Sequence, residues 1–144
     1  MTIRTCNKRK TTLGNVTSIT DPLANATGFT YDARNSLLTA TNPKAKTTTF
    51  TYDATENLRT IQDSLGNTTA FAYDGFGELT SKTDARGNTT AYAYDFLGNL
   101  TRITDALSHS TTLSYDGIGR LTSITDPNGH AATATYDAQC AGCD

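Results

Sequence analysis

Tryptophan is absent from this chain of 144 residues, and methionine occurs once. With hydrophobic residues at 36% and charged residues at 18%, the apolar material suffices for one thin core and not for two. A single domain over residues 1–144 is expected. Neither sign of charge dominates: twelve Lys and Arg against fourteen Asp and Glu leave −2, and only Lys8, Arg9 and Lys10 stand together. Lacking a basic stripe to neutralise phosphates, the chain is not expected to bind nucleic acid. No stretch approaches the roughly 18 apolar residues that cross a bilayer, so no membrane span is expected. Residues 1–10 are polar and basic with no apolar run behind them, and do not read as a Sec-type leader. A leader already removed, another export route, and a larger polypeptide with its leader elsewhere all stay open. What is plentiful is Thr, Asn, Asp, Gly and Ser, which disfavour helices. With Tyr and Phe among them the mixture favours strands bounded by tight turns, so all-β is the expected class.

A repeat decides the architecture. Tyr-Asp occurs at Tyr31-Asp32, Tyr52-Asp53, Tyr73-Asp74, Tyr94-Asp95, Tyr115-Asp116 and Tyr136-Asp137, always 21 residues apart. The rest of the unit keeps step. Gly77, Gly98 and Gly119 follow the Tyr; Val16, Leu37, Leu58, Leu79, Leu100 and Leu121 come next, then Ile19, Ile61, Ile103 and Ile124. A turn residue (Asp21, Asn42, Asp63, Asp84, Asp105, Asp126) closes each rising strand. The phase reaches back to Lys10-Thr11, which replaces Tyr-Asp in a degenerate first copy. Units therefore start near 10, 31, 52, 73, 94 and 115, with a partial unit from 136.

Each unit reads as strand, turn, strand, turn. In one copy Gly98–Thr104 rises, Asp105–His109 turns and Ser110–Tyr115 returns. The expected fold is a tandem array of 21-residue β-hairpins in one continuous, twisted or spiralling antiparallel sheet. Thr69, Phe71 and Tyr73 share a face at period two, as do Thr90, Tyr92 and Tyr94. Leu100 and Ile103 are three apart and fall on opposite faces unless a bulge intervenes. Apolar residues on both faces would require cover on both sides, or a sheet that curls on itself. A lone hairpin is marginal in water, so stability is expected to come from nearest neighbours, and the two terminal strands expose unpaired backbone groups.

The Asp column invites a reading as metal or acid–base carboxylates. Copies in successive hairpins would lie about 9–10 Å apart, too far to share a cation, and turn capping is the simpler role. His109 and His130 occupy turn positions held by Asn67 and Asn88 in other units, and read as turn residues. No catalytic triad, phosphate loop or dinucleotide fingerprint appears, so no enzyme, metal or cofactor is expected.

Tyr-Asp-x-x-Gly-x-Leu, clearest in Tyr115-Asp116-Gly117-Ile118-Gly119-Arg120-Leu121, resembles the YD repeat of Rhs proteins, Tc-toxin cocoon components, wall-associated proteins and teneurins. The resemblance spans residues 10–138. It implies a long β-sheet spiralling into a hollow shell, which in bacterial members encloses a C-terminal toxin.

Cys6 stands at one end of the array, with Cys140 and Cys143 at the other, so pairing within one chain is not expected. The Cys140-Ala-Gly-Cys143 spacing lacks the second pair that zinc requires. Head-to-tail subunits would nearly complete a hairpin across their joint, placing Cys6 opposite Cys143 for an intersubunit disulfide. The expected function is a non-enzymatic structural module, a segment of an extracellular or cell-surface shell, partnered by the remainder of that shell. The alternatives are a self-assembling extracellular filament of this chain, joined through Cys6 and Cys140 or Cys143, and a carbohydrate or cell-wall binding module using the aromatic columns.

Overall fold

The computed structural model describes residues 7–136. These form thirteen strands and no helix: β1 (Asn7–Lys10), β2 (Val16–Thr20), β3 (Ala26–Tyr31), β4 (Leu37–Thr41), β5 (Thr47–Tyr52), β6 (Leu58–Gln62), β7 (Thr68–Tyr73), β8 (Leu79–Thr83), β9 (Thr89–Tyr94), β10 (Leu100–Thr104), β11 (Ser110–Tyr115), β12 (Leu121–Thr125) and β13 (Ala131–Thr133). Spatial order equals chain order across one 13-stranded sheet. Two compact units divide the chain, residues 7–72 with 83–87 and residues 73–82 with 88–136.

In the first unit every strand pair from β1–β2 to β6–β7 is antiparallel. The pairs joined through the Tyr-Asp turns at Tyr31 and Tyr52 carry a bulge. In β3–β4, Thr30 faces Thr39 and Tyr31 faces Leu37, which leaves Leu38 as the extra residue. Arg59 is the extra residue of β5–β6. The second unit repeats the device, with Thr101 extra in β9–β10 and Thr122 extra in β11–β12. Each bulge restores parity, because one inserted residue changes which face the rest of the strand presents. Leu100 lies opposite Tyr94 and Ile103 opposite Tyr92, so the Leu and Ile of a rising strand share the aromatic face.

Apolar residues thus gather on one face: Phe50 meets Ile61, Tyr52 meets Leu58, Leu113 meets Ile124 and Tyr115 meets Leu121. The expected need for cover on both sides does not arise, since the pairs on the opposite face are small or polar, as Thr30 with Thr39, Gln62 with Thr49 and Arg102 with Ala93. Thr30 bonds Thr39 at 2.7 Å, Thr51 bonds Thr60 at 2.6 Å and Thr104 bonds Ser110 at 2.9 Å through their hydroxyls. Cross-strand pairs of this kind stabilise by about 0.2–1 kcal/mol each. No described side chain is fully buried, so the described residues form no core in the usual sense. The sheet holds together pair by pair.

Candidate functional site

The recurring polar residues of the repeat sit in its turns, which share one geometry at both margins of the sheet. In the turn opened by Asp32, its N–H donates to the Ser36 carbonyl at 3.0 Å, and its own carbonyl accepts from Asn35 N–H at 3.2 Å. The Asp32 Oδ1 accepts from the N–H groups of Arg34 at 2.9 Å and Ser36 at 2.8 Å. The turn opened by Asp63, at the other margin, repeats these bonds onto Leu65 and Asn67. Asn42 performs the same task with Oδ1, and in the degenerate first copy Thr11 Oγ1 accepts from Asn15 N–H at 3.1 Å. An Asx side chain mimicking a backbone turn explains the Asp preference without any catalytic role.

The fourth position of every such turn has positive φ, the left-handed residue that closes a three-residue hairpin loop. Glycine holds it at Gly14, Gly66, Gly77, Gly87, Gly98, Gly119 and Gly129; Ala24, Asn35, Ala45, Glu56 and Ser108 hold it with a side chain. The fifth position feeds the second carboxylate oxygen. Asn25, Asn67 and Asn99 donate Nδ2 to Oδ2 of Asp21, Asp63 and Asp95 at 2.8, 2.8 and 3.0 Å. His109 and His130 place Nδ1 at 3.0 and 2.9 Å from Asp105 and Asp126, and Arg120 donates Nε to Asp116 at 2.7 Å. The histidines are turn residues, as their phase implied.

These bonds favour the ionised carboxylates. The Asn99 amide, then its N–H, holds Asp95 below the ordinary value; the His109 N–H does the same first for Asp105, and the Arg120 N–H for Asp116. Glu78 is the exception. At the fifth position behind Asp74 it offers a second carboxyl in place of a donor. Desolvation, then the Asp74 charge, pushes its pKa up.

The Tyr of the motif has a different task. The β2–β3 ladder ends at Ser18 facing Gly28, short of the margin where the Tyr-Asp turns lie. Beyond that last pair Tyr31 Oη donates to the Val16 carbonyl at 2.9 Å. Tyr52 reaches Leu37 at 3.0 Å, Tyr115 reaches Leu100 at 2.9 Å and Tyr136 reaches Leu121 at 2.7 Å, always fifteen residues back. Each hydroxyl ties a unit to its predecessor where the backbone ladder has stopped. Side chains reinforce the tie: Arg34 pairs with Glu56 at 3.5 Å, and Arg120 lies 4.4 Å over the Tyr136 ring.

An open cleft of about 370 Å³ lies between two of these turns, lined by Asp32, Arg34, Tyr52, Asp53 and Glu56 among others. Asp32 and Asp53 already accept turn N–H groups, and Glu56 pairs with Arg34. Among the described residues no cluster of His, Cys, Asp or Glu is fit to hold a metal. Cys6, Cys140, Cys143 and Asp137 lie outside the described residues.

The chain matches the RHS Repeat family at residues 11–47, 52–89, 73–107, 97–131 and 115–139. It belongs to the RHS repeat family. Solved relatives agree on the fold of this Rhs repeat chain. The crystal structure of TcdB2-TccC3-Cdc42 is similar at TM-score 0.74 and 18% identity, over 92% of this chain and 8% of that one. TcdB2-TccC3-TEV gives 0.74 and 18%, over 90% and 8%. The Photorhabdus luminescens Tc holotoxin pore with the TccC3-D651A mutation gives 0.56 and 15%, over 89% and 9%. The Rhs chain thus spans under a tenth of the length of these structures. Curated protein sequences yield no match. Within the Rhs chain, Tyr31, Tyr52, Tyr115 and Tyr136 each bond a carbonyl of the preceding unit, and Asp32, Asp53, Asp74, Asp95 and Asp116 accept turn N–H groups.

Proposed function

We propose that this Rhs repeat module is a stretch of wall from a larger extracellular or cell-surface shell, acting through its surface and not by catalysis. The observation that carries the reading is the fit of nearly the whole chain to a small part of a much longer one, 92% against 8%. Two features of the sheet support it. None of its described side chains is fully buried, and each unit pairs apolar residues on one face, Phe50 with Ile61 in the first and Tyr92 with Ile103 in the second. A sheet of this kind gains stability from more sheet. Four of its Tyr hydroxyls are committed to backbone carbonyls, which leaves those phenols no donor for a sugar.

Negative-stain electron microscopy of the purified chain, with and without a reducing agent, tests the reading. Small uniform particles in both samples are expected. Long fibres that shorten on reduction would replace the shell with the filament, and retention on cell-wall polymer would replace it with a binding module.

A further inference from the structure

Side chains bridge neighbouring Tyr-Asp turns, and one bridge lacks its far half. The fifth position of a turn leans on the fourth of the next: Asn15 Nδ2 donates to Asn35 Oδ1 at 2.8 Å, and Asn99 Oδ1 lies 3.5 Å from where a Cβ on Gly119 would stand. Two further bridges use an arginine of the chain itself. Arg34 spans to Glu56 at 3.5 Å and to the Ala54 carbonyl at 3.4 Å. Arg120 bonds Asp116 at 2.7 Å and lies 4.4 Å over the Tyr136 ring. Between the turns opened by Asp74 and Asp95, in a cleft of about 340 Å³, the fifth position is Glu78. Its Oε1 stops 2.8 Å from where a Cβ on Gly98 would stand, so the next turn offers it no side chain there. Phe76 and Phe96 border the cleft and are each 94% exposed, and none of the described residues lining it is cationic. The whole cleft belongs to the second unit.

We propose that this cleft binds an arginine side chain presented by a partner protein, its guanidinium on the Glu78 carboxylate and over the ring of Phe76 or Phe96. The partner supplies here what Arg34 and Arg120 supply at their own turns. A carboxylate accepts a guanidinium through two parallel N–H bonds, and an aromatic face attracts the same planar cation within about 6 Å of its centroid. Lysine, a compact and strongly hydrated charge, satisfies neither geometry as well. Charge points to the same occupant. Desolvation and then the Asp74 charge work against an ionised Glu78, and an incoming cation offsets that charge. A neutral apolar side chain would cover the rings and leave the carboxylate without a counter-charge. More sheet adds beside a terminal strand, whereas this cleft opens at the ends of strands, so the inference stands apart from the wall reading.

The probe is Nα-acetyl-arginine methylamide, titrated into the full isotope-labelled chain and followed through its amide shifts in nuclear magnetic resonance. Saturable shifts are expected at Phe76, Gly77, Phe96 and Gly98. Affinity should fall about fivefold for Glu78→Gln and about threefold for Phe96→Leu. Glu78→Arg, which copies the Asp116–Arg120 arrangement and fills the cleft from within, should abolish the shifts. Phe96 is exposed, so its substitution keeps the test open should a Glu78 variant lose its far-UV spectrum. Equal shifts from the norleucine analogue would reduce the cleft to an apolar patch and overturn the proposal. Shifts that survive all three substitutions would place the site elsewhere and do the same. Shifts of the same amides on concentrating the chain without probe would hand the cleft to a second copy in place of a partner.

Discussion

At the fourth position of its turns the repeat meets a steric demand that five residues satisfy with a side chain. Left-handed backbone costs an ordinary L-residue about 1–2 kcal/mol, part of which glycine offsets through its looser unfolded chain. Ala45→Gly is expected to stabilise by about 0.5–1 kcal/mol in chemical denaturation. Gly66→Ala should destabilise by a similar amount, although a methyl at Gly66 meets nothing within 4 Å. Glu78 carries the second prediction at this scale. A raised carboxyl pKa means the folded chain binds more protons than the unfolded one above the ordinary Glu value of 4.5, so this residue weakens the fold as pH rises. Glu78→Asn restores the donor found at Asn67 and Asn99. It should raise the melting temperature at pH 7, with the part of the gain that comes from removing the carboxylate shrinking as pH falls towards 4.5 and gone below it. The turn role of His109 and His130 was legible from their phase alone. The Tyr hydroxyl bonds were not, because the acceptor is a backbone carbonyl on a neighbouring strand, and no side-chain pattern marks where a ladder stops.

Among the elements, the bulge decides which face each rising strand presents. The three-residue step from Leu100 to Ile103 posed the question, and Thr101 answers it by standing outside the register. Deleting Thr101 would send either Leu100 or Ile103 to the hydroxyl face. Limited proteolysis should then cut near β10 while the strands of the first unit stay protected. The hairpins themselves were readable to within two residues, with β10 starting at Leu100 where Gly98 was expected. Less visible was that both turns of a unit are one device. The openers at Asp21, Asp32, Asn42 and Asp53 are spaced 11, 10 and 11 (32 − 21, 42 − 32, 53 − 42), a half-repeat that the Tyr-Asp period of 21 conceals. It could have been found by aligning Asp-x-x-Gly alone, as in Asp63–Gly66 and Asp74–Gly77, had Ala, Asn, Glu and Ser not filled the Gly slot elsewhere.

For the molecule as a whole, the turn aspartates and the missing core set the behaviour. Asp21, Asp53, Asp63, Asp95, Asp105, Asp116 and Asp126 all sit below the ordinary value of 3.8, so the unfolded chain binds more protons there and stability falls as pH drops through that region. Acid melts followed by far-UV circular dichroism should show cooperative loss below pH 3.8, steepest for the wild type and shallower when Asp63 and Asp126 are replaced by Asn, as Asn42 permits. A sheet stabilised between neighbours also loses strength locally, whereas a packed domain loses it everywhere. Native-state hydrogen exchange on Tyr52→Phe, which removes the bond to the Leu37 carbonyl, measures this difference. Protection should fall by about 1 kcal/mol in β4, β5 and β6 and stay unchanged in β11 and β12. An equal loss in all strands would mean that one cooperative core holds the chain, and that the Tyr-Asp ties are not what joins its repeats.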